Sequence, residues 1–135
     1  MAEITVAATL ENLYTVTDFV NEQLELADCS MKLMTQVNLA VEEIYVNIAH
    51  YAYHPDVGTT TICCEVGGDP LRITIGFADM GKPYNPLDRE DPDITSGAQD
   101  RQVGGLGIFM TRKLMDDISY QFVNGKNILT LHKNI

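Results

Sequence analysis

The sequence predicts an α+β domain of two layers, a mostly antiparallel sheet with helices on one face. Three observations carry that expectation. Two stretches in the first half repeat apolar residues at helical spacing. Two pairs of alternating segments are each joined by a tight turn, Gly67-Gly68-Asp69-Pro70 and Asn124-Gly125. The order is strand, two helices, two strands, long loop, helix, two strands, which suits a sheet covered on one side.

Glu3 to Ala8 alternates weakly and reads as an edge strand. From Asn12 to Ala27, Leu13, Val16, Phe19, Val20 and Leu24 form the apolar stripe of an amphipathic helix. Ser30 is placed to cap a second, longer helix running to about Tyr53. It ends at His54-Pro55-Asp56, because proline disfavours helical geometry in the residue before it. Strands are expected at Thr60 to Val66 and Leu71 to Asp79. Met80 to about Val103 has no periodicity and is rich in Pro, Asp, Ser and Gly, so it reads as a long loop of the lid or binding kind. A helix from Gly105 to Met115 and strands Ile118 to Val123 and Asn127 to His132 complete the order.

A chain of 135 residues with 45% hydrophobic content fits one domain, 1–135, able to bury a core without disulfides. Its three cysteines do not suit a disulfide framework. In Ile62-Cys63-Cys64-Glu65-Val66, strand alternation sends Cys64 inward and Cys63 outward. Reduced thiols point to the cytoplasm. Apolar runs are broken too often for a membrane span, and Met1-Ala2-Glu3-Ile4-Thr5 lacks the build of a secretory signal. The net charge of −10 and a pI near 4.5 argue against direct nucleic-acid binding and leave room for a basic protein partner.

Chemistry concentrates in three places. On the second helix Met34, Val37, Val41, Ile44 and Ile48 face the core, while Glu43 and Asn47, four apart, share a flank at its border. A carboxylate beside an amide can hold a hydrated divalent cation and deprotonate a hydroxyl, although a polar helix flank is the blander reading. Leu71, Ile73, Ile75 and Phe77 alternate onto one strand face, and Asp79 continues the series towards the helices. A carboxylate buried there needs partners, or it merely caps the turn made by Gly81 and Pro83. Gly104-Gly105-Leu106-Gly107 lies where a loop becomes a helix, so backbone N–H groups are free for anions. It is neither the dinucleotide fingerprint nor a Walker loop.

In this order, Glu-x3-Asn on a helix, Asp-x-Gly-x-Pro at a strand end, a lid at about 80–103 and Gly-Gly-Leu-Gly opening a helix, the chain resembles the GHKL ATPase superfamily. It is most similar there to the short bacterial anti-sigma-factor serine/threonine-protein kinases, over essentially its whole length. Ala40-Val41-Glu42-Glu43, Gly81-Lys82-Pro83-Tyr84-Asn85-Pro86, Arg101-Gln102-Val103-Gly104, Leu114-Met115-Asp116 and Asn127-Ile128-Leu129-Thr130-Leu131 support the likeness. The resemblance implies the two-layer Bergerat sandwich, ATP and Mg²⁺ as cofactors, Glu43 as general base and Asn47 as the metal ligand. It puts Asp79 on the adenine amino group with Gly81 admitting the base, and Gly104, Gly105, Leu106 and Gly107 on the phosphates.

Superfamily members place a threonine near the base in one of the last strands. Thr130 is the obvious match, but Leu129 and Leu131 facing the core would turn it away, and Asn127 lies on the Leu129 side. Asn127 is therefore preferred, unless a bulge intervenes. Lys82 and Arg101 are the cations nearest the phosphate elements, with pairing to Asp100 the alternative for Arg101. His50 and His54, four apart, suit packing or surface roles better than a metal site.

As partners the resemblance implies a small anti-sigma-factor antagonist of the STAS type as phosphate acceptor, a sigma factor held alternately in a partner switch, and a homodimer. A non-catalytic ATP-binding module that sequesters a protein shares every nucleotide-binding feature, but would not need Glu43. A detached sensor-kinase domain would need a preceding hairpin with a phospho-accepting histidine, and gyrase-like or chaperone ATPases would need further domains.

Overall fold

The computed structural model describes residues 1–88 and 105–135. Five strands form one antiparallel sheet in the order β1-β2-β3-β5-β4: β1 (Ala2–Ala7), β2 (Thr59–Gly67), β3 (Arg72–Asp79), β4 (Asp117–Val123) and β5 (Lys126–Asn134). Three helices, α1 (Leu13–Leu26), α2 (Met31–Asn47) and α3 (Gly105–Leu114), contribute to a core shared with one face of the sheet. The expected α+β sandwich is the observed one.

The helices begin and end where side chains close their free backbone groups. Ser30 accepts from the Leu33 N–H at 3.2 Å and caps α2. At the end of α1, Asp28 takes a φ of 56°, and the Cys29 N–H reaches back to Leu24 O at 3.2 Å, a Schellman closure. Asn12 does not cap α1 with its side chain; its amide donates to Ala7 O at 2.8 Å and ties the helix entry to β1. Asn124 and Gly125 both have positive φ, 53° and 77°, as a two-residue hairpin loop of the primed type requires.

Val16, Val20 and Leu24 of α1 and Val37, Val41 and Ile44 of α2 meet Ile62, Ile73, Ile75, Phe77 and Leu131 from the sheet, all buried. Each such side chain contributes roughly 1.5–3 kcal/mol on burial. Tyr45 is also fully buried, and its hydroxyl donates to Thr9 O at 2.6 Å, so its polar end is satisfied. Cys64 packs into the core while Cys63 stays half-buried on the other face, donating to Glu3 Oε2 at 3.4 Å.

Two expectations are refined. Leu71 precedes β3 and is exposed. The second helix does not stay α-helical to Tyr53: after Asn47 it widens into a π-helical turn, Ile48–Ala52. Such turns re-aim the residues that follow and recur at functional sites. Here the widened end is stitched to the turn after β3, with the Lys82 N–H donating to Ala52 O at 3.0 Å. A Cβ on Gly81 would overlap the Ala52 backbone, so that close approach needs glycine. Tyr53 adds a second stitch: its hydroxyl accepts from the Met80 N–H at 2.8 Å and donates to Thr59 O at 2.6 Å.

Candidate functional site

Between α2, α3 and the β3–β5–β4 side of the sheet lies a cavity of about 420 Å³. Its floor is Phe77, Leu129, Ile108 and Ile44, and its rim carries Tyr51, Lys82, Pro83, Tyr84 and Pro86. Its polar groups fall in two hydrogen-bonded clusters, Asp79 with Asn127 and Tyr120 in one, Asn47 with the adjoining Glu43 in the other. A largely apolar cleft with a few convergent polar groups is the usual form of a small-molecule site.

Asp79 closes the alternating face Ile73, Ile75, Phe77 and is itself buried, 7% exposed. Its Oδ1 accepts from the Gly81 N–H at 2.9 Å and from Asn127 Nδ2 at 3.0 Å. Among the described residues Oδ2 has no hydrogen bond, although the carboxylate lines the cavity. A buried acceptor left in this state favours a donor arriving with a ligand.

Asn127 stands directly across from Asp79 in the β3–β5 register. That register runs unbroken to Arg72↔Asn134, so no bulge reverses the phase. Asn127, Leu129 and Leu131 are buried, while Thr130 pairs with Gly76 on the sheet's opposite face, away from the cavity. Besides Asp79, Asn127 Nδ2 meets Lys82 O at 2.9 Å and Gly81 O at 3.3 Å. Its Oδ1 accepts from the Tyr84 N–H at 3.1 Å and from the Tyr120 hydroxyl.

In the second cluster, Asn47 Nδ2 donates to Glu43 Oε1 at 3.2 Å. Both residues are half-buried; Asn47 is on the cavity wall and Glu43 lies one helical turn behind it. The Glu43 carboxylate sits against the first turn of α3, where a Cβ on Gly107 would overlap it. Burial raises the Glu43 pKa above its usual 4.5; the Asn47 hydrogen bond lowers it, and the neighbouring Glu42 charge raises it. With its N–H group turned to Glu43, Asn47 presents a carbonyl oxygen, the oxygen donor a hard divalent cation takes.

Of the residues singled out in the sequence, Asn47, Asp79, Lys82 and Asn127 line one cavity; Glu43, Gly81 and Gly107 abut its wall. Gly105 opens α3 with Leu106 in its first turn. Arg101 and Gly104 lie outside the described residues, as does most of the expected 80–103 lid. His50 and His54 are exposed, and no group of metal-ligating side chains forms among the described residues. Tyr51 and Tyr120 line the cavity without being singled out in the sequence, and Tyr84 lines it although the sequence marks it only as part of the stretch 81–86. The alternation of Ile118, Tyr120 and Phe122 could have revealed Tyr120, whereas Tyr51 depends on the π-helical turn.

Comparison with known proteins fits this geometry. Residues 6–133 match the family of histidine kinase-like ATPase domains, and the chain belongs to that family. Within it, the chain is similar to the serine/threonine-protein kinase BtrW of Bordetella bronchiseptica, 30% identical over 102 residues that cover 76% of this chain and 71% of BtrW. Similarity to the serine-protein kinase RsbW of Bacillus mycoides is 31% over 100 residues, covering 71% of this chain and 61% of that one. RsbW of Bacillus cereus is 30% identical over 95 residues, with 69% and 59% covered. The chain thus spans about three fifths of the length of the RsbW relatives it matches. The crystal structure of the RsbU and RsbW domains of Rv1364c from Mycobacterium tuberculosis superposes with a TM-score of 0.66 at 16% identity. It covers 99% of this chain and 32% of that one, and shows the shared fold.

Proposed function

We propose that the protein is an ATP-dependent serine/threonine-protein kinase of the anti-sigma-factor type, which phosphorylates a small antagonist protein as part of a partner switch. One observation carries the reading: a single cavity joins the buried Asp79 carboxylate, whose Oδ2 has no hydrogen bond among the described residues, to an amide held by a half-buried carboxylate, Asn47 and Glu43. The first end suits an exocyclic amino group; the second suits phosphoryl chemistry.

In this reading the adenine enters over Phe77 and Leu129, its amino group donating to Asp79 Oδ2. Gly81 keeps the turn close to Ala52 and so leaves the base its space. The phosphates lie towards the start of α3, where the first-turn N–H groups of Gly105, Leu106 and Gly107 are free for anions. Gly104, Arg101 and Lys82 are proposed as further phosphate contacts. Asn47 would hold Mg²⁺ through its carbonyl oxygen, and the ion would neutralise charge on the phosphates. Glu43 takes the proton of a serine or threonine hydroxyl as that oxygen bonds to the γ-phosphorus. The bond from phosphorus to the β,γ-bridging oxygen breaks, and ADP leaves. A raised pKa suits this work, because a base gains strength as its pKa approaches the operating pH.

The similarity to RsbW and BtrW supports a protein acceptor, expected to be a STAS-type antagonist, with a sigma factor as the alternate partner and a homodimer as the assembly. The test is transfer of labelled phosphate from Mg-ATP to an antagonist encoded beside this chain. Phosphoserine or phosphothreonine on that protein is expected. ATP binding without transfer to any such protein would instead establish a non-catalytic module that sequesters its partner.

A further inference from the structure

The buried amide of Asn127 has no capacity left for a ligand. Its two N–H groups are surrounded by three acceptors, Asp79 Oδ1, Gly81 O and Lys82 O, and its oxygen receives two donors, Tyr84 N–H and the Tyr120 hydroxyl. The arrangement has one orientation only. A backbone N–H can do nothing but donate, so the end facing Tyr84 is the oxygen; turning the amide over would set that oxygen against three others. With the oxygen fixed, the Tyr120 hydroxyl must donate to it. Tyr120 therefore locks Asn127, and Asn127 locks Asp79 Oδ1, which leaves Oδ2 as the carboxylate's ligand-facing atom.

On this basis we infer that Tyr120 and Asn127 are positioning residues that aim the Asp79 carboxylate, and that Tyr120 sets how strongly the site distinguishes a purine with a 6-amino group from one without it. The inference rests on the nucleotide reading above and deepens it. A freely turning carboxylate would adapt to several base edges; one whose Oδ1 is pinned by Gly81 and Asn127 offers a single acceptor in a single place. Rigid placement of a polar group is what turns a hydrogen bond into discrimination, because the wrong ligand leaves it buried and unpaired. Asn127 then stands behind the reading carboxylate rather than on the base. Tyr120 reaches the cavity from β4, the strand that the sequence motifs leave unused.

The experiment is a titration of wild type, Tyr120→Phe and Asn127→Asp with ATP and with purine riboside 5′-triphosphate, which lacks the 6-amino group, alongside thermal melts. Wild type is expected to prefer ATP by tenfold or more, on the order of one buried hydrogen-bond pair left unmade. Tyr120→Phe is expected to weaken ATP about fivefold while the analogue changes less than about twofold, the size of one lost hydrogen bond. Asn127→Asp, which sets a carboxylate oxygen against Asp79 and two carbonyls, should abolish the preference. Parallel weakening of both ligands, or a lowered melting temperature with the preference intact, would mean plain packing and overturn the relay. Preserved discrimination in both variants overturns the relay alone. A wild type that takes both triphosphates equally, or neither, overturns the reading of Asp79 and the relay with it.

Discussion

The two ends of the cavity are built on different terms. At the Asp79 end, three adjacent strands deliver Asp79, Asn127 and Tyr120 to one spot, where among the described residues the Asn127 amide is fully hydrogen-bonded and Asp79 Oδ2 has no hydrogen bond. At the Glu43 end, two residues on one helix share a single 3.2 Å hydrogen bond and stay half-buried. On the proposed reading the first is a recognition site held rigid by hydrogen bonds; the second holds a carboxylate whose burial is only partly offset. Recognition gains from being rigid before the ligand arrives, since ordering then costs little on binding. If Glu43 is the base, as proposed, that end gains from a carboxylate that is uncomfortable when charged, since it then accepts a proton more readily.

Substitutions at the two ends should therefore separate binding from transfer. Glu43→Gln is expected to cut phosphate transfer about a thousandfold, within the range for loss of a general base. ATP affinity should stay within about threefold, and equal loss of both would merge the two ends. Asp79→Asn should weaken ATP roughly a hundredfold, the scale of a buried recognition group lost, with little change in melting temperature. A large melting shift with intact affinity would reduce Asp79 to a turn cap.

Gly107→Ala probes the seam between the ends. The added methyl would fall on the Glu43 carboxylate and move it, so transfer should drop about tenfold or more while ATP binding changes little. In a helix, Gly→Ala alone would stabilise by up to about 1 kcal/mol, so a loss of activity here would report on Glu43 and not on helix strength. The smallest effect concerns pH. Because burial raises the Glu43 pKa in the folded state, the contribution is favourable below its usual 4.5 and is lost as pH rises through the folded value. Glu43→Gln should therefore melt higher than wild type at neutral pH, and the gain should fade in melts taken below 4.5. A gain that grows on acidification would reverse the assignment.

The sequence and the structure agree most where local chemistry decides. The Ser30 cap, the Asn124-Gly125 turn and the inward phase of Asp79 and Asn127 follow from cap preference, left-handed turn residues and strand alternation. The widening of the second helix after Asn47 does not, because its stitch to Lys82 joins residues thirty positions apart in the chain. Tyr51 reaches the rim only by way of that turn. Tyr120 was legible in principle from its alternation with Ile118 and Phe122, but nothing in β4 alone shows that its hydroxyl meets Asn127. Close packing is equally silent: Gly107 reads as a phosphate-loop glycine, and only the fold shows the Glu43 carboxylate against it.

The most direct test of the account is a crystal structure with Mg²⁺ and a non-hydrolysable ATP analogue. The adenine is expected between Phe77 and the Tyr84 rim, with its 6-amino group within hydrogen-bond distance of Asp79 Oδ2. The γ-phosphate is expected on the Asn47 and Glu43 side, next to the first turn of α3. A base bound elsewhere, or a nucleotide lying in the reverse sense with its phosphates at Asp79, would contradict it.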